Sequence, residues 1–128
     1  MNKQMFLLFS HKLTEEQERD AIEGLGVRRF IYLPEPLQKK WSNVPPDAIE
    51  ISSHLKEIME FIWTNGKRGD YVLIQGDFGA VVKMVEFSRA IGLKPIYATT
   101  RRVVEEREEG GEIVKISRFK HVRFREYE

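Results

Sequence analysis

The sequence predicts an α/β protein, a small doubly wound parallel sheet with a C-terminal β-hairpin extension. Two observations predict the sheet. Four short apolar runs of strand length, Met5-Phe6-Leu7-Leu8-Phe9, Phe30-Ile31-Tyr32-Leu33, Tyr71-Val72-Leu73-Ile74 and Pro95-Ile96-Tyr97-Ala98, alternate with helical patterns through the first hundred residues. All-apolar strands joined by helical crossovers are what a parallel sheet covered on both faces requires. A third observation predicts the extension: after Thr100 the text becomes charged and extended, interrupted at Glu109-Gly110-Gly111-Glu112, which reads as a hairpin turn.

The helices follow in order. Thr14-Glu15-Glu16-Gln17 is a capping box, with Thr14 as N-cap and Gln17 reaching back; Ala21, Ile22 and Leu25 line one face, and Gly24 and Gly26 weaken and end the helix. Pro34, Pro36, Pro45 and Pro46 punctuate a packed connector in which Leu37 and Trp41, at i and i+4, suggest one or two helical turns. Asp47, or Ser52 a little later, caps a helix whose Leu55, Ile58, Met59 and Ile62 keep the 3.6-residue period until Asn65-Gly66. Val81, Met84, Val85 and Ile91 mark the last helix, which stops at Gly92.

With 128 residues, 41% of them hydrophobic, the chain fits one domain (1–128), divided into an α/β core (1–100) and a hairpin or extended tail (101–128). The absence of cysteine excludes disulfides, thiolate catalysis and cysteine-ligated zinc. His11, His54 and His121 lack metal-ligand spacing, so neither a metal nor a cofactor is expected. The first apolar run is too short for a secretory core and no run is long enough to span a membrane; the expectation is a soluble, cytoplasmic protein without a membrane partner. Net charge is only +1, yet 32% of residues are charged, so local patches decide what the surface attracts.

Open parallel sheets bind ligands at the carboxyl ends of strands, where the crossovers change direction. If the third strand lies beside the first, Ser10 and His11 come close to Gln75, Gly76, Asp77, Phe78 and Gly79, with Thr99, Thr100 and Arg101 on the same edge. Two glycines at a strand-to-helix junction permit close approach of the backbone, and the free amides of the helix N-terminus favour an anion. That inventory suits a phosphorylated ligand. Its motif matches neither the dinucleotide fingerprint nor the Walker A lysine pattern, and the plainer reading of Asp77 is a helix cap. His54 reads as structural and Trp41 and Trp63 as core.

The tail segregates charge. From Lys115 to Arg125 there are five basic residues and no acid, whereas from Glu105 to Glu112 five acids accompany one arginine. A strict period of two places Phe119, His121, Arg123, Arg125 and Tyr127 on one face, and Lys120, Val122 and Phe124 on the other. A basic, aromatic face suits nucleic acid; the alternative is a charged edge that discourages strand addition.

Five segments together resemble a small CRISPR-associated family, the Csx twenty group of type III systems. They are the stretch from Phe6 to Thr14 through Ser10-His11-Lys12, Trp41-Ser42-Asn43-Val44-Pro45-Pro46, Gln75-Gly76-Asp77-Phe78-Gly79-Ala80, Pro95-Ile96-Tyr97-Ala98-Thr99-Thr100, and Phe119-Lys120-His121-Val122-Arg123-Phe124-Arg125. The resemblance implies a CARF-like architecture, a homodimer, and binding of cyclic oligoadenylate, tetra-adenylate above all, with cleavage as a metal-independent ring nuclease. It further implies Ser10 near the scissile phosphate, His11 or His121 as proton carrier, and a basic contact among Lys12, Arg101, Lys120 and Arg123. DNA is not an expected partner. Competing expectations are a binding module that does not cut, and an RNA-binding domain that uses the basic tail.

Overall fold

In the computed structural model, which describes residues 2–128, the first apolar run forms β1 (Lys3–Leu8) at the heart of the sheet. Its last four residues are buried because both faces are covered. Thr14 caps α1 (Glu15–Leu25) through the expected reciprocal capping box, and Gly26 ends it at φ 74°, a left-handed conformation that favours glycine. Gln17 and Ala21 are the buried residues of α1, while Ile22 is 40% exposed, so the buried face is narrower than the apolar pattern suggested.

β2 (Val27–Tyr32) begins earlier than its apolar run, and the proline-rich connector contains a two-turn helix, α2 (Glu35–Ser42), that buries Leu37 and Trp41. α3 (Ser52–Asn65) buries Leu55, Ile58 and Ile62; its N-cap is Ile51, without a side-chain cap, and Asp47 lies outside the helix. β3 (Tyr71–Ile74) is buried throughout and leads into α4 (Phe78–Ala90). The fourth strand is far longer than its apolar run: β4 (Lys94–Glu109) continues to the Gly110-Gly111 turn, and β5 (Glu112–Glu126) returns as one strand.

The five strands form one sheet in the order β2-β1-β3-β4-β5, parallel except for the antiparallel β4–β5 pair. Alternation along β1 and β3 divides the core. Phe6, Leu8, Val72 and Ile74 pack with α2, α3 and α4 on one face. Met5, Leu7, Leu73 and Ile96 pack with Ala21 of α1 and Phe124 of β5 on the other. No helix among the described residues is long and apolar enough to cross a membrane.

Candidate functional site

β1 is followed by β2 on one side and β3 lies on its other side, so the crossovers change direction between β1 and β3. At this point Gln75 N donates to Leu8 O at 3.0 Å, extending the β1–β3 ladder just past the ends of both strands. The turn that begins at Gln75 is thereby fixed beside the segment carrying Ser10. Gln75 also holds the next strand, because its Oε1 accepts from Ala98 N at 2.8 Å beyond the last β3–β4 pair.

Ser10, His11 and Lys12 line an open cavity of about 460 Å³ together with Tyr32, Gln38 and Ser42. Gln38 Nε2 donates to Phe9 O at 2.9 Å and to Ser42 Oγ at 3.1 Å, and Ser42 Oγ lies 3.1 Å from Ser10 Oγ. Since a backbone carbonyl can only accept, the Gln38 amide is oriented with its nitrogen inward. Ser42 then accepts from Gln38 and can donate to Ser10, which leaves the Ser10 hydroxyl proton free for a ligand oxygen.

Gln75, Gly76 and Phe78 line a second cavity of about 420 Å³, with Val81, Val82, Tyr97 and Tyr127. Phe78 is 91% exposed, an unusual position for so large an apolar ring. Asp77 caps α4 by accepting from Ala80 N at 3.0 Å, the plainer role read from sequence. Neither Gly76 nor Gly79 has positive φ. A Cβ on Gly76 would stand 3.1 Å from the Trp41 indole, so a side chain there crowds a buried ring. Gly79 has ordinary contacts only, at 3.5 Å, and nothing within the fold demands glycine. Trp41 joins the two cavities structurally: Nε1 donates to Gln75 O at 3.1 Å, and the next residue, Ser42, lines the first cavity.

The tail corrects the face assignment made from strict alternation. Thr99 pairs with Arg123 but Thr100 pairs with His121, so Val122 is an extra residue, a β-bulge that reverses the phase of everything before it. Arg123 and Arg125 stay with Tyr97 on the α4 face, as Tyr127 does; Lys120, opposite Arg101, joins them, while His121 and Phe119 turn to the α1 face. The side beside Phe78 and Tyr97 therefore carries Arg101, Lys120, Arg123 and Arg125. Arg125 also stacks over the Tyr97 ring at 5.5 Å and donates to its hydroxyl at 2.9 Å.

Of the predicted residues, Ser10, His11 and Lys12 meet in the first cavity. His121 Nε2 lies 2.7 Å from Asp20 Oδ2 in α1. His54 Nε2 lies 2.7 Å from Lys40 O, which fits the structural reading of that residue. Gln38, Ser42, Tyr97 and Tyr127 were not singled out from sequence. Gln38 sits in the proline-rich connector outside any quoted motif, Ser42 stands in the Trp41–Pro46 segment without a role of its own, and the tyrosines belong to apolar or alternating strand text.

Fold and cavities define an α/β protein with a mostly parallel sheet and two open clefts at its carboxyl edge. Residues 3–125 match the model of the Uncharacterized protein MJ1673 family, and the chain belongs to that family. A relative from Methanocaldococcus jannaschii, described as Uncharacterized protein MJ1673, is 54% identical over 123 residues, covering 96% of this chain and 95% of the relative. No solved structure matches the chain.

Proposed function

We propose that the protein is a cytoplasmic, CRISPR-associated ring nuclease of Rossmann and CARF-like architecture, which binds a cyclic oligoadenylate across the β1–β3 switch point and cleaves it. The observation that carries this reading is the Gln75 N to Leu8 O bond, which brings the start of the Gln75–Gly79 turn to the end of β1, where open α/β sheets take ligands, with Ser10 two residues further on in the neighbouring cavity. The flanking chemistry suits an oligonucleotide. Phe78 offers an exposed face for base stacking, and Lys12, Arg101, Lys120 and Arg123 offer charge for phosphates.

In this reading the ligand supplies its own nucleophile. A ribose 2′-oxygen forms a bond to the adjacent phosphorus, the bond from phosphorus to the 5′-oxygen breaks, and the 2′-hydroxyl proton leaves as the 5′-oxygen gains one. The products end in a 2′,3′-cyclic phosphate and a 5′-hydroxyl. The Ser10 hydroxyl, oriented through Ser42 and Gln38, donates to a phosphate oxygen whose charge rises in the transition state, and the cations stabilise that same charge. His11 is the imidazole in the first cavity and serves as proton carrier.

A binding module that holds the ring without cutting it is favoured by one observation: His121 is engaged with Asp20 on the α1 face, away from the cationic side. Titration of isotope-labelled protein with cyclic tetra-adenylate, followed by NMR, tests the placement. The Ser10, Gly76 and Gly79 amides shift first if the reading holds. An unchanged spectrum, or shifts confined to the hairpin, would contradict it.

A further inference from the structure

β4 and β5 leave the rest of the sheet as an arm. The β3–β4 pairing ends at Leu73 and Ile96, and the His121–Asp20 contact ties the arm to α1 at its root. From Arg101 to Lys120, the strand pairing, the Arg102–Ser117 hydrogen bonds and the Arg118–Glu105 ion pair are internal to the two strands. A two-stranded ribbon is marginal in water when neither face is covered. One face of this arm nevertheless displays large apolar side chains: Val104, Ile113 and Phe119 are 54%, 71% and 72% exposed. Register places all three on the α1 side, with Arg102 beside Phe119 and Glu108 beside Ile113.

Charge runs along the arm in one direction. The root, Thr100 to Val104 with Ser117 to His121, carries Arg101, Arg102, Arg118 and Lys120 and no carboxylate. The tip, Glu105 to Ile116, carries five carboxylates against Arg107 and Lys115. Two such arms laid apolar face to apolar face, tips pointing the same way, would oppose like charges. On the α1 side itself the register leaves Arg102 at the root and Glu106, Glu108 and Lys115 at the tip, so arms laid antiparallel bring the net-negative tip of one face to the Arg102 root of the other. A two-fold axis at the level of the Glu105–Ile116 pair accomplishes this, because those residues lie midway between Arg102 and Glu108 and between Phe119 and Ile113. It sets Arg102 against the second copy's Glu108, and Phe119 against the second copy's Ile113, twice over by symmetry.

We infer that the arm is the docking surface for a second copy of this chain, engaged antiparallel about that axis. The occupant follows from self-complementarity: the same face supplies the cation Arg102 and the carboxylate Glu108, and the apolar partners Phe119 and Ile113, at equal distances from its centre. The interface joins sheet faces, so it demands no free strand edge.

Sedimentation and cysteine cross-linking of the full chain test this. The wild type is expected to dimerise. Arg102→Glu, an exposed change checked by circular dichroism for retained fold, raises the dimer dissociation constant by about tenfold or more at low salt, and Arg102→Glu with Glu108→Arg restores it. The chain has no native cysteine, so introduced thiols report alone. A mixture of Phe119→Cys and Ile113→Cys chains forms a disulfide heterodimer on mild oxidation, and neither variant alone links to itself. Within one chain the two positions stand about 20 Å apart, beyond disulfide reach. A monomer at all concentrations overturns the inference. So do self-linking of Phe119→Cys, which would mean parallel arms, and a dimer indifferent to Arg102→Glu with no cross-link.

Discussion

His121 Nε2 lies 2.7 Å from Asp20 Oδ2, and this contact ties the root of the hairpin to α1, 101 residues earlier in the chain. The imidazole side chain is 5% exposed and rests 4.8 Å from the Phe124 ring, while Asp20 remains 35% exposed. Asp20 accepts, so Nε2 carries a proton. His121 Nδ1 is buried without a partner among the described residues. The geometry makes His121 a joint between two elements.

His121→Ala is therefore expected to lower stability by about 1–3 kcal/mol in urea unfolding, through lost packing and the lost hydrogen bond to Asp20. A double-mutant cycle with Asp20→Ala should give a coupling of about 1–3 kcal/mol. A coupling near zero would show that the two side chains do not depend on each other.

The α/β core was legible because β1 and β3 are buried on both faces, which writes an uninterrupted apolar run into the sequence. The Thr14 capping box was legible because it is local. The length of β4 was not: beyond Thr99 the strand pairs only with β5, neither face is buried in a core, and no apolar period marks it. The bulge at Val122 leaves no sequence signal, yet it exchanges the places of Lys120 and His121 and so redraws the cationic face. The contact of Trp41 with Gly76 joins residues far apart in the chain, and a glycine crowded by a ring looks in sequence like a phosphate turn.

The two glycines of the turn separate packing from ligand contact. Gly76→Ala pushes a methyl against the buried Trp41 indole and should cost about 1–3 kcal/mol. Gly79→Ala, in the first turn of α4, has room and should change stability by no more than about 1 kcal/mol, in the favourable direction. If the ligand backbone approaches there, the same variant loses cyclic tetra-adenylate affinity. Thermal melts and calorimetric titration of both variants distinguish the cases, and an unimpaired Gly79→Ala titration would remove that contact.

Tyr127 couples the end of the chain to alkaline pH. Its hydroxyl donates to Ile74 O at 2.5 Å, and burial, then the neighbouring Tyr97, raises its pKa above the ordinary 10.0. A group whose folded pKa is raised contributes stability that is whole below the unfolded value and is lost as pH climbs through the folded one. Stability should thus fall from about pH 10 upward. Tyr127→Phe should cost about 1 kcal/mol at neutral pH and flatten that decline. An unchanged alkaline slope in urea titrations would contradict this.

Because the bulge brings Lys120 to the side of Arg123, each should contact ligand phosphate if the ring lies on the α4 face. Lys120→Ala and Arg123→Ala are each expected to weaken cyclic tetra-adenylate binding about tenfold at low salt and to shallow its salt dependence. Wild-type affinity in both variants would move the ligand off this face.

Cleavage at the β1–β3 switch point is tested by incubating radiolabelled cyclic tetra-adenylate with the protein in EDTA, wild type beside Ser10→Ala, with product ends identified by chromatography. Linear products bearing 2′,3′-cyclic phosphate and 5′-hydroxyl ends are expected for the wild type, and a rate lower by about a hundredfold for Ser10→Ala. Intact ring after hours with excess wild-type protein, or a Ser10→Ala variant that cuts at the wild-type rate, would contradict it.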